Sequence, residues 1–127
     1  MNTTKPTVLI CDDEEGVRES LRLILDEHYD LLMAEDGQKA LETLRARTPD
    51  VLLLDMKLPK MDGLDTLRRI REVARDIPVL IVTAYHSTEV AQETIRLGAI
   101  DYIPKPFEGA QVLAAIEKAL EKVRSRK

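Results

Sequence analysis

Five short apolar runs recur along the chain, separated by longer amphipathic stretches. They are VLIC at 8–11, LLMA at 31–34, VLLL at 51–54, VLIV at 79–82 and the weaker IDYI at 100–103. Their hydrophobicity is continuous rather than alternating, the pattern of strands covered on both faces in a parallel sheet. Between them, Val17, Leu21, Ile24 and Leu25 share one face of a helix, and Val112, Leu113, Ile116, Leu120 and Val123 share another. Shorter helices are predicted over 38–45, 64–71 and 88–97. Pro49 and Pro78 stand before the third and fourth runs, and Gly98 is placed to end the fourth helix in a left-handed conformation. Strand and helix alternating five times predict a doubly wound α/β domain.

The rest of the composition narrows the class. A chain of 127 residues, 44% hydrophobic, is long enough for one core and one domain. A net charge of −4 and only four Phe or Tyr residues, with no Trp, argue against a nucleic-acid surface. Lys122, Arg124, Arg126 and Lys127 crowd the C-terminus, as suits a solvated helix end; residues 122–127 are also a candidate start of a linker. No apolar run is long enough to span a membrane, and the N-terminus has no signal-peptide pattern. The single Cys11 closes an apolar run and reads as a buried small hydrophobe in a reducing, cytoplasmic setting.

In such sheets the site lies outside the carboxyl ends of the strands. There the sequence places Asp12 and Asp13 after the first run, Asp55 after the third, Thr83 after the fourth and Lys105 after the fifth. Taken singly, each has an ordinary reading. An acidic pair before Glu14 and Glu15 suits a helix N-terminus, and a lone Asp, Thr or Lys can serve a loop. Together they put three carboxylates, a hydroxyl and an ammonium on one rim. Carboxylates ~4 Å apart repel by about 1 kcal/mol per pair in water and roughly 4 at an effective dielectric of 20, so the cluster calls for a cation. Oxygen ligands with no histidine among them suit Mg²⁺, or Mn²⁺; His28 and His86 fit no ligand spacing and read as surface residues. Mg²⁺ and Lys105 would neutralise the three aspartates. A phosphoryl group on Asp55 would then leave an excess of about one negative charge. The chemistry predicted is phosphoryl transfer to Asp55 as nucleophile, with Asp13 a direct metal ligand and Asp12 acting through a metal-bound water. Thr83 and Lys105 would hold phosphoryl oxygens, and a cis Lys105–Pro106 bond would turn the lysine inward.

At these residues the chain resembles a response-regulator receiver domain of bacterial two-component signalling. The resemblance covers essentially all of it: Asp12-Asp13, Asp55 with Pro59 and Met61-Asp62-Gly63 after it, Thr83-Ala84, and Lys105-Pro106-Phe107. It implies a flavodoxin-like three-layer sandwich whose parallel strands run in the order 2-1-3-4-5, as in other members of that family. It implies phosphorylation of Asp55, with Mg²⁺, by a histidine kinase or histidine phosphotransfer protein, and no turnover of an external substrate. The backbone carbonyl of Lys57 would complete the metal sphere. Thr83 and Tyr102 would act as the switch, altering the face made by the fourth helix, fifth strand and fifth helix, with a homodimer as one outcome. Lys57 and Tyr85 would set the lifetime of the phosphoryl group, here a long one. Glu14, Glu15, Arg18 and Pro106 would meet the partner. The subfamily resemblance is to receivers of phosphorelays and of nitrogen-regulation-type activators. Two other readings stand against this: a haloacid-dehalogenase-like phosphohydrolase, which would want Asp-x-Asp after the first strand, and a receiver fold serving only as a scaffold.

Overall fold

The computed structural model describes residues 5–85 and 87–125. The readings of His86, Arg126 and Lys127 fall outside those residues, as do those of the side chains of Val123 and Arg124. The elements follow one another as β1 (Thr7–Cys11), α1 (Glu15–Leu25), β2 (Asp30–Ala34), α2 (Gly37–Ala46), β3 (Val51–Leu54), α3 (Gly63–Val73), β4 (Val79–Thr83), α4 (Thr88–Arg96), β5 (Asp101–Pro104) and α5 (Gly109–Ser125). All strand pairs are parallel, and the order across the sheet is β2-β1-β3-β4-β5. The doubly wound architecture and strand order are those expected.

Because successive strand residues face opposite sides of the sheet, each central strand feeds two cores. Leu9, Cys11, Leu52, Leu54, Val79 and Ile81 pack against Leu41 and Leu44 of α2 and Leu67 and Ile70 of α3. Val8, Ile10, Val51, Leu53, Leu80 and Val82 pack against Leu21 and Leu25 of α1 and Val112 and Ile116 of α5. The continuous apolar runs of β1, β3 and β4 are thus explained, since every residue of these strands is buried. β2 and β5 depart from that pattern: Leu31, Leu32, Met33 and Tyr102 are half-buried, and Asp101 and Pro104 are exposed. Both strands lie at sheet edges, where one flank has no strand to cover it.

Side-chain caps set where three helices begin. Asp36, Asp62 and Ser87 accept the N–H of Lys39 (2.8 Å), Asp65 (2.9 Å) and Val90 (3.3 Å) at the starts of α2, α3 and α4. Gly63 opens α3 at a point of very close approach. A Cβ there would lie 2.3 Å from the Met56 Cα, so no larger residue fits without moving the β3–α3 loop. α4 ends at Arg96, one residue sooner than the sequence pattern predicts, and Gly98 follows with φ +92°. The Arg71 guanidinium fastens that end. It donates to the carbonyls of Leu97 (2.7 Å) and Gly98 (3.0 Å) after α4, and to those of Arg75 (3.1 Å) and Ile77 (2.7 Å) before β4.

Two stability predictions come from these contacts. Arg71→Met should lower the unfolding free energy by about 2 kcal/mol in urea denaturation at pH 7, the scale for hydrogen bonds to a charged group. A change within about 0.5 kcal/mol of zero, as at ordinary surface sites, would show that water replaces the guanidinium. The Asp36 carboxyl is held below the usual range, chiefly by the Lys39 N–H and further by the Lys60 ammonium. A depressed folded pKa stabilises above the unfolded value of about 3.9, and the contribution is lost as pH falls through the folded value. Asp36→Ala should therefore cost about 1 kcal/mol at pH 7; the difference from wild type should begin to shrink below roughly pH 4 and vanish only once the pH is under the lowered folded value.

Candidate functional site: an acidic rim closed by one lysine

Sheet register assembles the site. Cys11 lies opposite Leu54 across β1 and β3, so the next residues, Asp12 and Asp55, leave the sheet side by side. The Asp55 N–H donates to the Cys11 carbonyl (3.1 Å) and the Asp12 N–H to the Ala34 carbonyl (3.0 Å). Both carboxylates therefore hang from backbone still tied to the sheet. Thr83 ends β4, and its carbonyl accepts the Lys105 N–H at 2.9 Å, bringing the β5–α5 loop to the same rim. The Lys105–Pro106 bond is cis, as expected from the sequence.

Asp55 is buried, and both its oxygens are engaged. Oδ1 accepts the Thr83 hydroxyl (2.5 Å) and the Lys57 N–H (3.0 Å); Oδ2 accepts the Lys105 ammonium at 3.0 Å. The same ammonium donates to Asp12 Oδ2 (2.7 Å) and Glu14 Oε1 (3.3 Å). Asp12 Oδ1 in turn accepts the Glu14 N–H at 2.9 Å, folding the β1–α1 loop back over the pair. Burial pushes the Asp12 carboxyl up, and the nearby Asp55 charge adds to it, against the opposing pull of Lys105 and the Glu14 N–H. Lys105 loses solvation in the same place, yet its hydrogen bonds to Asp12 and Asp55 hold its ammonium charged well above the ordinary lysine value. Burial raises the Cys11 thiol strongly, with the neighbouring carboxylates adding to it, so it stays protonated.

One oxygen from each of Asp12, Asp13, Glu14 and Asp55 lies within 4.8 Å of the others. Four carboxylates against one ammonium leave three negative charges on the rim. The donors are hard oxygens, two of the carboxylates are exposed, and no histidine belongs to the group among the described residues. Such a set fits a hard divalent cation that keeps part of its water.

The remaining residues singled out by sequence fall around this rim. Tyr102 donates its hydroxyl to the Tyr85 carbonyl (2.5 Å), and the Tyr85 N–H donates to Thr83 Oγ1 (3.2 Å). Thr83, the β4–α4 loop and the β5 aromatic are thus linked in series. Lys57 and Tyr85 are exposed and line a cleft of about 530 Å³ beside Asp13, walled by Leu58, Pro59, Leu64 and Val90. Glu15 and Pro106 are exposed, and His28 sits on the surface beside Glu27.

Two residues expected at a partner surface also make contacts at the rim. Glu14, although exposed, turns its carboxylate to Lys105 and joins the acidic group. Arg18 is half-buried, and its guanidinium donates inward to the Asp12 carbonyl at 2.7 Å. The cause is the tight turn at Asp12–Glu14, which brings α1 against the rim. Helix periodicity gives the face of Arg18 but not the path of the loop before it.

A doubly wound sheet with this acidic rim and lysine defines a class of signalling receiver. The family model for the response regulator receiver domain matches residues 8–117, and the chain belongs to that family. It is 38% identical over 118 residues to the response regulator MprA of Mycobacterium ulcerans, covering 92% of this chain and 51% of that protein. The chain spans about half the length of the curated relatives it matches. Among solved structures, a CheY-like response regulator receiver domain protein from Methanospirillum hungatei superposes with a TM-score of 0.93 at 27% identity, over 98% of this chain and all of that one. The receiver domain of NtrX from Brucella abortus superposes with a TM-score of 0.84 at 34% identity, over 90% of this chain and 98% of that one.

Lys105 is the only ammonium bonded to the two buried carboxylates among the described residues. Lys105→Met in metal-free buffer at pH 7 should cost about 3 kcal/mol of stability, the scale for removing one partner of a buried ion pair. Adding Asp12→Asn to that variant should recover part of the loss, because a repelling charge leaves with it. A Lys105→Met protein as stable as wild type would mean that water already screens the cluster.

Proposed function

We propose that this receiver domain is a phosphoacceptor of a two-component or phosphorelay system, taking a phosphoryl group onto Asp55. The observation that carries the reading is Asp55 itself: a buried carboxylate at a strand end, between a hydroxyl and an ammonium, with three further carboxylates beside it. An Asp55 oxygen attacks the phosphorus of a phosphohistidine on a kinase or phosphotransfer protein. As the O–P bond forms the P–N bond breaks; its electron pair stays on the imidazole nitrogen, which takes up a proton. Asp13, Asp55, the Lys57 carbonyl and, through water, Asp12 would hold Mg²⁺ (or Mn²⁺), which would supply positive charge to offset the incoming phosphoryl group. Lys105 and Thr83 need only move from carboxylate to phosphoryl oxygens, so catalysis here is positioning and charge compensation. The domain promotes its own modification and its reversal and turns over no other substrate.

The output follows from the series of contacts behind Thr83. When its hydroxyl leaves Asp55 for the phosphoryl group, the Tyr85 N–H, the Tyr85 carbonyl and the Tyr102 hydroxyl are displaced in turn. Phosphorylation thereby favours one arrangement of the α4–β5–α5 face over another, by as much as it binds the two differently. Partner binding or homodimerisation at that face reads the difference. Residues 1–127 act in this reading as one receiver domain, with 122–127 leading toward a linker. Its partners are proteins of the cytoplasm, and among the described residues no helix is long and apolar enough to cross a membrane.

Intact-mass spectrometry after incubation with acetyl phosphate and Mg²⁺ tests the proposal. One phosphoryl increment is expected in the wild type, and none in Asp55→Asn or with a chelator. The adduct should decay faster in Lys57→Ala/Tyr85→Ala, which opens the cleft beside Asp13 to water. An increment that survives Asp55→Asn would refute the assignment of the acceptor. Catalytic release of phosphate from a small ester, without a stoichiometric adduct, would point to a phosphohydrolase instead.

A further inference from the structure

Asp13 is the carboxylate with the least to hold it. Asp12 and Asp55 are buried and bonded to Lys105, and Glu14 reaches the same ammonium. Asp13 is exposed and projects from the β1–α1 turn. Its direction depends on the peptide plane joining Asp12 to Asp13, whose oxygen is the Asp12 carbonyl. That oxygen accepts Arg18 Nη1 at 2.7 Å. On the other side of Asp13, the Glu14 N–H is fixed by Asp12 Oδ1 at 2.9 Å. The Asp12 N–H is fixed by the Ala34 carbonyl at 3.0 Å. The peptide units on either side of Asp13 are thus both tethered, and the tether on one of them is Arg18.

We propose that Arg18 is a positioning residue of the acidic site: by holding the Asp12–Asp13 peptide plane it aims the Asp13 carboxylate at the divalent cation. This deepens the metal-binding part of the function proposed above and rests on it. Arg18 also adds a positive charge close to four carboxylates. With Lys105 it brings the rim to two net negative charges, which a divalent ion matches. The two contributions of Arg18 act in opposite directions on metal affinity. As a charge it repels the cation, so its removal should tighten binding. As a tether it preorganises a ligand, so its removal should weaken binding. The sign of the change therefore separates them.

The geometry favours the tether. The guanidinium is directed to a main-chain oxygen, and a charged donor makes a strong bond there, whereas its charge is partly screened by solvent at a half-buried position. Loss of a partner that orients a metal ligand typically weakens metal binding at least ~10-fold.

Mg²⁺ titration of the ¹⁵N-labelled chain, followed through the amide shifts of residues 12–14, reads metal binding without any phosphoryl transfer and reports in the same spectra that the protein is folded. Arg18→Met keeps the aliphatic stem and helix propensity, so α1 should be retained. Its Mg²⁺ dissociation constant should rise about 10-fold, and Arg18→Lys, which keeps the charge and one donor, should fall between the two. An Arg18→Met protein that binds Mg²⁺ as tightly as wild type, or more tightly, would overturn the proposal. If Arg18→Met does not fold, Arg18→Lys decides: weaker binding than wild type supports the tether, and equal or tighter binding overturns it. A wild type that shows no saturable Mg²⁺ shift would remove the metal-binding reading and this inference with it, whereas a wild type that binds while the variants bind no worse would remove this inference alone.

Discussion

Two buried carboxylates side by side at the end of a parallel sheet are an unfavourable arrangement, and the site is organised around that repulsion. Asp12 and Asp55 meet because Cys11 and Leu54 are in register, and the ladder that fixes the register belongs to the most deeply buried part of the molecule. The sheet's stability therefore keeps apart from solvent, and close to each other, two charges that would separate if they could. Lys105 offsets part of the cost, and an incoming cation would offset more. Active sites commonly hold unfavourable local arrangements that the remaining structure sustains. Here the sustaining structure can be named: the two apolar layers on the faces of β1 and β3.

Much of this was legible in the sequence because burial on both faces leaves an unmistakable pattern. VLIC, VLLL and VLIV could not lie at a surface, and the polar residues that end them had to stand at one rim. The edge strands were harder to read. IDYI is a weak run because β5 lies at the edge of the sheet, where only Ile103 is fully buried, and its burial is set by neighbours far away in sequence. Gly98 and the Lys105–Pro106 bond were readable because glycine and proline restrict the backbone locally. The rim contacts of Glu14 and Arg18 were hidden for the opposite reason. Their roles depend on a three-residue turn whose path comes from the Asp12 side chain accepting the Glu14 N–H, a contact with no periodicity to betray it. Arg71 was likewise only a polar residue on a predicted helix until the loops around it were in place.

In the proposed function one set of contacts at the rim would serve both chemistry and signalling. Thr83 faces Asp55 with its hydroxyl and receives the Tyr85 N–H on the same oxygen. A side chain with two such bonds cannot change one partner without disturbing the other. The β4–α4 loop is thereby tied to the acidic site through a single atom, the link the proposed switch would use.

The close packing at Gly63 has a mechanical consequence. The β3–α3 loop passes so near Met56 that even a methyl group would not fit, and tightly packed interiors yield little to small forces. On that flank the segment after Asp55 behaves as a stiff abutment. On the opposite flank, α4 is fastened at its far end by Arg71, while its near end follows a loop held to Tyr102 by one hydrogen bond. A push delivered at the rim, as the proposed phosphorylation would deliver, would travel toward the softer side. Under the proposed switch, the contrast between its rigid and its yielding walls would set the direction in which a signal leaves the site.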